Sequence, residues 1–322
     1  MPAETPERLG PYQVLAPLGR RGSLVVYDGV EAASNRPVTL KALQPRLAEN
    51  PEAVRRFEAA VEAAARLPHH AHVLPVLGRG QEDGVPFAAF ERFSGTPLHE
   101  VLRQRRLSLQ EAMEVVKAIC RGLQHAHARG LMHGNLDPWT VLVAPDLSEV
   151  QLTDFGLGRL PAPTSLTTTI NTTEITLSGF HYLAPELLEM NAQGDARADL
   201  YSAGVMFHEM LTGRAPGGKF SLPSQLNGEL PSEIDVVVLK CLARRPEDRY
   251  RSAGELLAEL ERLEEALRLR LLSELRGITR GTSRLLGGGE EAGSGGGKRT
   301  LLLVVAIAVL LALLAAAGLL LT

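Results

Sequence analysis

His133-Gly134-Asn135-Leu136-Asp137-Pro138, followed by Asp154-Phe155-Gly156, is the stretch on which the reading of this chain turns. Acids, an amide and glycines crowd together there, and the pattern of the chain changes on the N-terminal side of them. Tyr12–Leu18, Leu24–Val30 and Pro37–Leu43 are short β-branched or apolar runs broken by Gly, Asn and Pro, which predicts strands. Asn50-Pro51 opens a helix, an N-cap with Pro in the first turn, predicted to run to about Leu67. Val73–Leu77 and Pro86–Phe93 are predicted as two further strands. Beyond Gly95 the period becomes helical. Ser108 and Glu111 make a capping box ahead of Leu109, Ala112, Val115, Val116, Ile119 and Leu123, which share one face. A sheet-rich first third and a helical remainder predict an α+β fold of two lobes, 10–93 and 94–262, with a cleft between them.

Further from the centre, the 322 residues are 45% apolar with a net charge of −3, and no basic surplus marks nucleic acid as a partner. Two lone cysteines, Cys120 and Cys241, in apolar helical patterns fit a reducing compartment. Met1 to Pro11 is polar, so no secretory signal is expected. Leucines at 256, 260, 263, 267, 271 and 275 form one helical stripe, with Ser252 and Glu255 as its capping box. The stripe could pack on the domain or pair with a second copy. Residues 263–279 are read as a helical extension, and 280–299, with Gly287-Gly288-Gly289 and Gly293-Ser294-Gly295-Gly296-Gly297, as a flexible tether. Leu301 to Leu321 is an unbroken apolar run. At about 1.5 Å per residue it spans roughly 30 Å, the depth of a bilayer core. A single transmembrane helix over 300–322 is expected, and Lys298 and Arg299 before it place the rest of the chain on the cytoplasmic side of the inner membrane.

The ordered set Val38-Thr39-Leu40-Lys41, His133 to Pro138, Asp154-Phe155-Gly156, Ala184-Pro185-Glu186 and Asp199-Leu200-Tyr201-Ser202-Ala203-Gly204, with Arg249 after it, resembles the protein kinase superfamily, in particular the bacterial Ser/Thr kinases. The resemblance covers roughly residues 10–262. It implies that ATP and Mg²⁺ are the cofactors, that Gly19, Gly22, Lys41, Glu91 and Phe93 meet nucleotide, that Asp154 holds metal, and that Glu186 pairs with Arg249.

The same resemblance shows where this chain departs. Phosphoryl transfer needs the terminal phosphate held, its charge neutralised and the acceptor hydroxyl oriented by a carboxylate. Asn135 stands at the carboxylate's position, and an amide cannot take the proton. Gly134 replaces an arginine. Asp137 stands where a lysine would lie against the migrating phosphate, which reverses a charge. At about 4 Å and an effective dielectric near 20, one such pair is worth roughly 4 kcal/mol. Thr140 replaces the asparagine of a second metal site. Arg21 and Leu24 fill the second and third glycine positions of the loop over the phosphates, although Arg20 or Arg21 could supply a cation instead. Ala60 falls where the small-lobe helix should offer Lys41 a glutamate, unless a shifted register brings in Glu62. Lys41 and Asp154 could then simply pair with each other. The docking helix of the large lobe is expected to be missing or reduced between Gly213 and Leu230.

Two weaker signals remain. The segment Leu160 to Leu177 carries Thr168, Thr169, Thr172 and Thr173, read either as phosphoacceptors or as a polar loop. His69, His70 and His72 cluster without a completing ligand set. These features predict a membrane-tethered pseudokinase that regulates or scaffolds signalling proteins, among them an active Ser/Thr kinase or a phosphothreonine-binding protein. An active Ser/Thr kinase with an unusual catalytic loop and a nucleotide-sensing module are the alternatives.

Overall fold

The computed structural model of the chain describes residues 5–157, 181–188, 194–217 and 221–287. Its N-terminal lobe is built on an antiparallel six-stranded sheet: β1 (Arg8–Leu9), β2 (Tyr12–Arg21), β3 (Leu24–Glu31), β4 (Pro37–Leu43), β5 (Val76–Glu82) and β6 (Val85–Glu91), in the order β1-β2-β3-β4-β6-β5. Strand alternation divides its side chains between two clusters. Leu24, Leu43, Phe90 and Ala88 face the helix α2 (Pro51–Ala65) and pack with its Phe57 and Val61, while Tyr12, Val38, Leu40 and Phe87 form the core of the opposite face. A four-residue helix α1 (Pro45–Ala48) precedes α2. The Asn50 side chain caps α2 by accepting from the backbone N–H of Glu52 at 2.9 Å and of Ala53 at 3.4 Å. The first three long strands and α2 lie where their sequence signals place them. β5 does not, for it begins three residues later than the apolar run Val73–Leu77. Val73 instead makes isolated bridges to His70 and Leu152, spending its backbone on the junction with the large lobe.

β2 and β3 are joined by a two-residue turn, Gly22-Ser23, with Arg21 paired to Leu24. Gly22 at φ 51° supplies the positive dihedral that such a hairpin needs at its first central position.

The large lobe begins with β7 (Thr96–Pro97), α3 (Leu98–Leu102) and the long helix α4 (Leu109–His127). The capping box is complete: Ser108 Oγ accepts from Glu111 N–H at 3.2 Å and Glu111 Oε2 accepts from Ser108 N–H at 2.8 Å. Ala112, Val115, Val116, Ile119 and Leu123 are fully buried on its inner face, each large aliphatic contributing about 1.5–3 kcal/mol on burial. β8 (Val141–Val143) and β9 (Val150–Leu152) pair antiparallel and carry the segment that lines the cleft. α5 (Arg197–Thr212) lies against α4 and against α7 (Glu233–Cys241). Among the described residues the only helix between Gly213 and Leu230 is the single turn α6 (Pro223–Leu226), in line with the reduced docking helix expected there.

The last helix, α8 (Ala253–Gly287), continues past 279 and takes in the first residues of the expected tether. Arg280 to Leu286 contains two arginines and two leucines, good helix formers, ahead of the glycine triplet in the sequence. Ser252 Oγ accepts from Glu255 N–H at 3.1 Å, but the Glu255 carboxylate accepts from Arg251 N–H at 2.7 Å, so the expected box is displaced by one residue. Of the leucine stripe, Leu256 and Leu260 are buried and Leu263, Leu267 and Leu271 half-buried. Among the described residues no helix is long and apolar enough to cross a membrane. The tether beyond Gly287, the apolar run 301–321 and the threonines 168, 169, 172 and 173 lie outside the described residues.

Candidate active site

The cleft is built on a floor that needs no ligand. Asp199, in the first turn of α5, is 1% exposed and accepts from the backbone N–H of His133 and of Gly134, both at 2.8 Å, with His127 Nε2 also at 2.8 Å. A buried carboxylate is tolerable when its lone pairs are filled in this way. Gly134 adopts φ 75°, a left-handed turn that glycine enters at no steric cost. The His133 ring is fully buried, with Nε2 2.9 Å from Thr153 O and its centroid 4.8 Å from that of Phe155. Burial pushes its pKa down, against the opposing charges of Asp199, Asp154 and Asp137. At the outer edge Arg249 makes a bidentate pair with Glu186 at 2.7 and 2.8 Å and donates to Ala243 O at 2.8 Å, as the resemblance implied.

Above this floor, Lys41 on β4 and Asp154 after β9 meet in a buried ion pair, with Lys41 Nζ donating also to Thr153 Oγ1 at 3.0 Å. Burial lowers the Lys41 pKa. For Asp154 burial acts upward, yet the charges of Lys41 and Arg21 outweigh it and hold the carboxyl below its ordinary value. The direct pairing foreseen for these two residues is what the fold forms.

No glutamate joins them. A Cβ built on Gly156 would come 3.2 Å from Ala60 Cβ, so Ala60 is the α2 residue that faces the Asp-Phe-Gly segment. Glu62 points elsewhere, to Arg66 and to Arg79 at 3.8 Å, and Glu58 is exposed. The shifted register that would have brought Glu62 to Lys41 is thereby excluded.

The catalytic-loop residues are close by. Asn135 is half-buried, its backbone N–H 3.4 Å from His133 Nδ1. Asp137 Oδ1 accepts from the N–H of Trp139 at 2.9 Å and of Thr140 at 3.1 Å, and forms an ion pair with Arg21 from the tip of β2. The Thr140 hydroxyl donates to Asp137 O at 2.9 Å and accepts from Asp137 N–H at 3.0 Å. Both bonds tie the hydroxyl into the turn it shares with Asp137.

Of the remaining candidates, Gly19 and Gly22 lie along the β2–β3 hairpin, whose second and third glycine positions are strand residues with side chains: Arg21 crosses the cleft and Leu24 is buried against α2. Glu91 ends β6, but its carboxylate takes Arg36 Nη2 at 2.6 Å. Phe93 packs against the cluster under the sheet. His70 stacks on His125 with centroids 4.5 Å apart, and no group of three His, Cys, Asp or Glu residues suited to a metal ion occurs among the described residues. Thr153, Trp139 and His99, which line the same region, had no sequence signal of their own. The Arg21–Asp137 pair did have one: two departures of opposite charge from a single motif set.

A buried lysine beside a buried carboxylate fits a nucleotide phosphate and one Mg²⁺. Thr140 in place of an asparagine does not fit the second position of a two-metal arrangement, and Ala60 leaves Lys41 without a glutamate partner.

The protein kinase domain profile matches residues 12–269. A probable serine/threonine-protein kinase of Clostridium acetobutylicum is 29% identical over 267 residues, covering 77% of this chain and 39% of that protein. The serine/threonine-protein kinase PknL of Mycobacterium tuberculosis is 33% identical over 273 residues, covering 80% and 67%. The crystal structure of the PknI kinase domain of Mycobacterium tuberculosis superposes with a TM-score of 0.65 at 28% identity, over 79% of this chain and 96% of that one. With the profile spanning most of its length, both lobes in place and the cleft motifs in order, this chain belongs to the protein kinase family.

Proposed function

We propose that the chain is a membrane-tethered pseudokinase, which binds ATP with Mg²⁺ and regulates or scaffolds a signalling complex without transferring phosphate. The observation that carries this reading is the contrast at the cleft. Lys41 and Asp154 are retained and in contact, while Asn135 offers an amide, Ala60 leaves Lys41 without a glutamate and Asp137 is committed to Arg21. When bound, the metal would neutralise phosphate charge. Lys41 would hold phosphate and Asp154 would turn its carboxylate from Lys41 to the ion. Nothing at position 135 would take the proton from an acceptor hydroxyl.

Membrane attachment rests on the apolar run 301–321 and the basic pair before it. The threonines 168, 169, 172 and 173 would be phosphorylated by an active Ser/Thr kinase and read by a phosphothreonine-binding partner, because Gly134 leaves this chain without its own arginine at the usual reading position.

The full chain, purified in mild detergent, should incorporate no radiolabel from ATP into itself or a protein panel. It should still show an ATP- and Mg²⁺-dependent rise in melting temperature that is lost in Lys41→Ala. Robust transfer that disappears in Asp154→Ala would overturn the pseudokinase reading. Transfer that disappears in Asp137→Ala would favour a kinase that uses that carboxylate in place of Asn135. Recovery of the chain in the soluble fraction, equally with and without residues 300–322, would overturn the tether.

A further inference from the structure

Two of this chain's departures from its family meet in space. Arg21 replaces a glycine over the phosphate region and Asp137 replaces a lysine beneath it. They lie 116 residues apart in sequence, and the fold joins them as an ion pair. The pair is anchored on one side only. Asp137 is fixed to its own loop by the N–H groups of Trp139 and Thr140, whereas Arg21 arrives from the tip of a hairpin. Its guanidinium stands 5.7 Å from the centroid of the Trp139 ring, which in turn stacks on His99 at 4.1 Å. The charge of Arg21 acts on both Lys41 and Asp154, so the four residues form one alternating cluster of two cations and two carboxylates.

We infer that Arg21 is the cation that meets the terminal phosphates of a bound nucleoside triphosphate, exchanging its Asp137 partner for phosphate when nucleotide enters. Arg21 supplies from the small lobe a positive charge in place of the one the catalytic loop has lost. This rests on the proposal that the cleft binds ATP.

The rival reading makes the same pair a bolt that holds the cleft shut. Magnitudes decide against it. The Arg21 side chain is 22% exposed and that of Asp137 11%, and a triphosphate brings more negative charge to the guanidinium than the one carboxylate it would displace. Removing the guanidinium, by contrast, deletes a fork of charge-assisted donors and bares the Asp137 carboxylate toward the phosphates, two losses of the same sign.

The test is calorimetric titration of the full detergent-purified chain with ATP plus Mg²⁺ and, separately, with AMP, which lacks the distal phosphates. Arg21→Ala should weaken ATP by about tenfold or more and leave AMP unchanged. Arg21→Lys should retain most of the ATP affinity, and Asp137→Asn should tighten ATP severalfold by removing a negative charge. Should Arg21→Ala bind ATP as well as or better than the natural chain, the assignment of Arg21 falls while nucleotide binding stands. If the natural chain takes neither ATP nor AMP, both fall together. If Arg21→Ala loses AMP as well, Arg21→Lys decides, and failure of that variant to hold ATP overturns the assignment.

Discussion

Asp199 and Asp137 are two buried acids beneath one loop, and they serve it differently. Each accepts two backbone N–H groups. Asp199 completes its set with His127, from its own lobe, and is 1% exposed. Asp137 completes its set with Arg21, from the other lobe, at the rim of the cleft. The first arrangement fixes the shape of the catalytic loop and is retained with the fold. The second is a departure peculiar to this sequence, in which a reversed charge has found a partner across the cleft. Residues that hold shape can be satisfied by their surroundings alone. Residues that do chemistry leave valences for a ligand, and here those valences have been turned inward.

The sharpest way to break this contrast is Asp199→Ala. It leaves two buried N–H groups and a half-buried histidine without an acceptor, and should cost about 3–5 kcal/mol in urea unfolding of the chain. A cost near that of Asp137→Ala would erase the distinction between the two acids.

Lys41→Met comes next, leaving Asp154 buried and unpaired at a cost of about 2–4 kcal/mol at neutral pH. The sign of its pH dependence follows from the depressed Asp154 pKa. In the natural chain that site contributes stability above the ordinary carboxylate pKa and loses it as pH falls through the folded value. The variant should not show this acid loss, so the two stability curves should converge on acidification. Parallel curves would mean that Lys41 does not set the ionisation of Asp154.

Asp137→Ala should cost less, about 1–2 kcal/mol, since its ion pair is partly screened and what is lost is chiefly two turn hydrogen bonds. A loss above that of Lys41→Met would make Asp137 a member of the floor rather than of the rim.

The smallest effect is expected away from the cleft. The Glu111 carboxyl is lowered to about 2 by hydrogen bonds from Arg105 first and then from Ser108, against an ordinary 4.5. Glu111→Gln should cost under about 1 kcal/mol at pH 7, given its exposure. Because the folded pKa is depressed, that difference should hold above pH 4.5 and shrink as pH falls toward 2. Thermal melts across this range check it, and a difference that grows on acidification would contradict the assignment.

Much of the fold was legible because its signals are local. Asn50-Pro51 and Ser108 with Glu111 fix helix starts through bonds spanning only a few residues, and β4 follows its run Pro37–Leu43 to the residue. β5 was misplaced because Val73 looks like a strand residue but spends its backbone on Leu152, a partner far away in sequence. The end of α8 was misjudged because the tether was read from its glycine runs, 287–289 and 293–297, and drawn back to 280, although the residues ahead of the first run favour helix. In the site, the motif positions named Arg21, Lys41, Asp137 and Asp154, and the spacing from Phe57 picked out Ala60, which the structure sets against Gly156.

The sequence by itself determined which groups are available: an amide at 135, an acid at 137, an arginine at 21, a lysine at 41 and an aspartate at 154. Their identities fix what protons and charges can be exchanged, because side-chain chemistry is covalent. Only the tertiary structure decided who faces whom, that Lys41 meets Asp154 and Arg21 meets Asp137, since such pairings depend on how a hairpin tip and a loop more than a hundred residues later come to share one cleft.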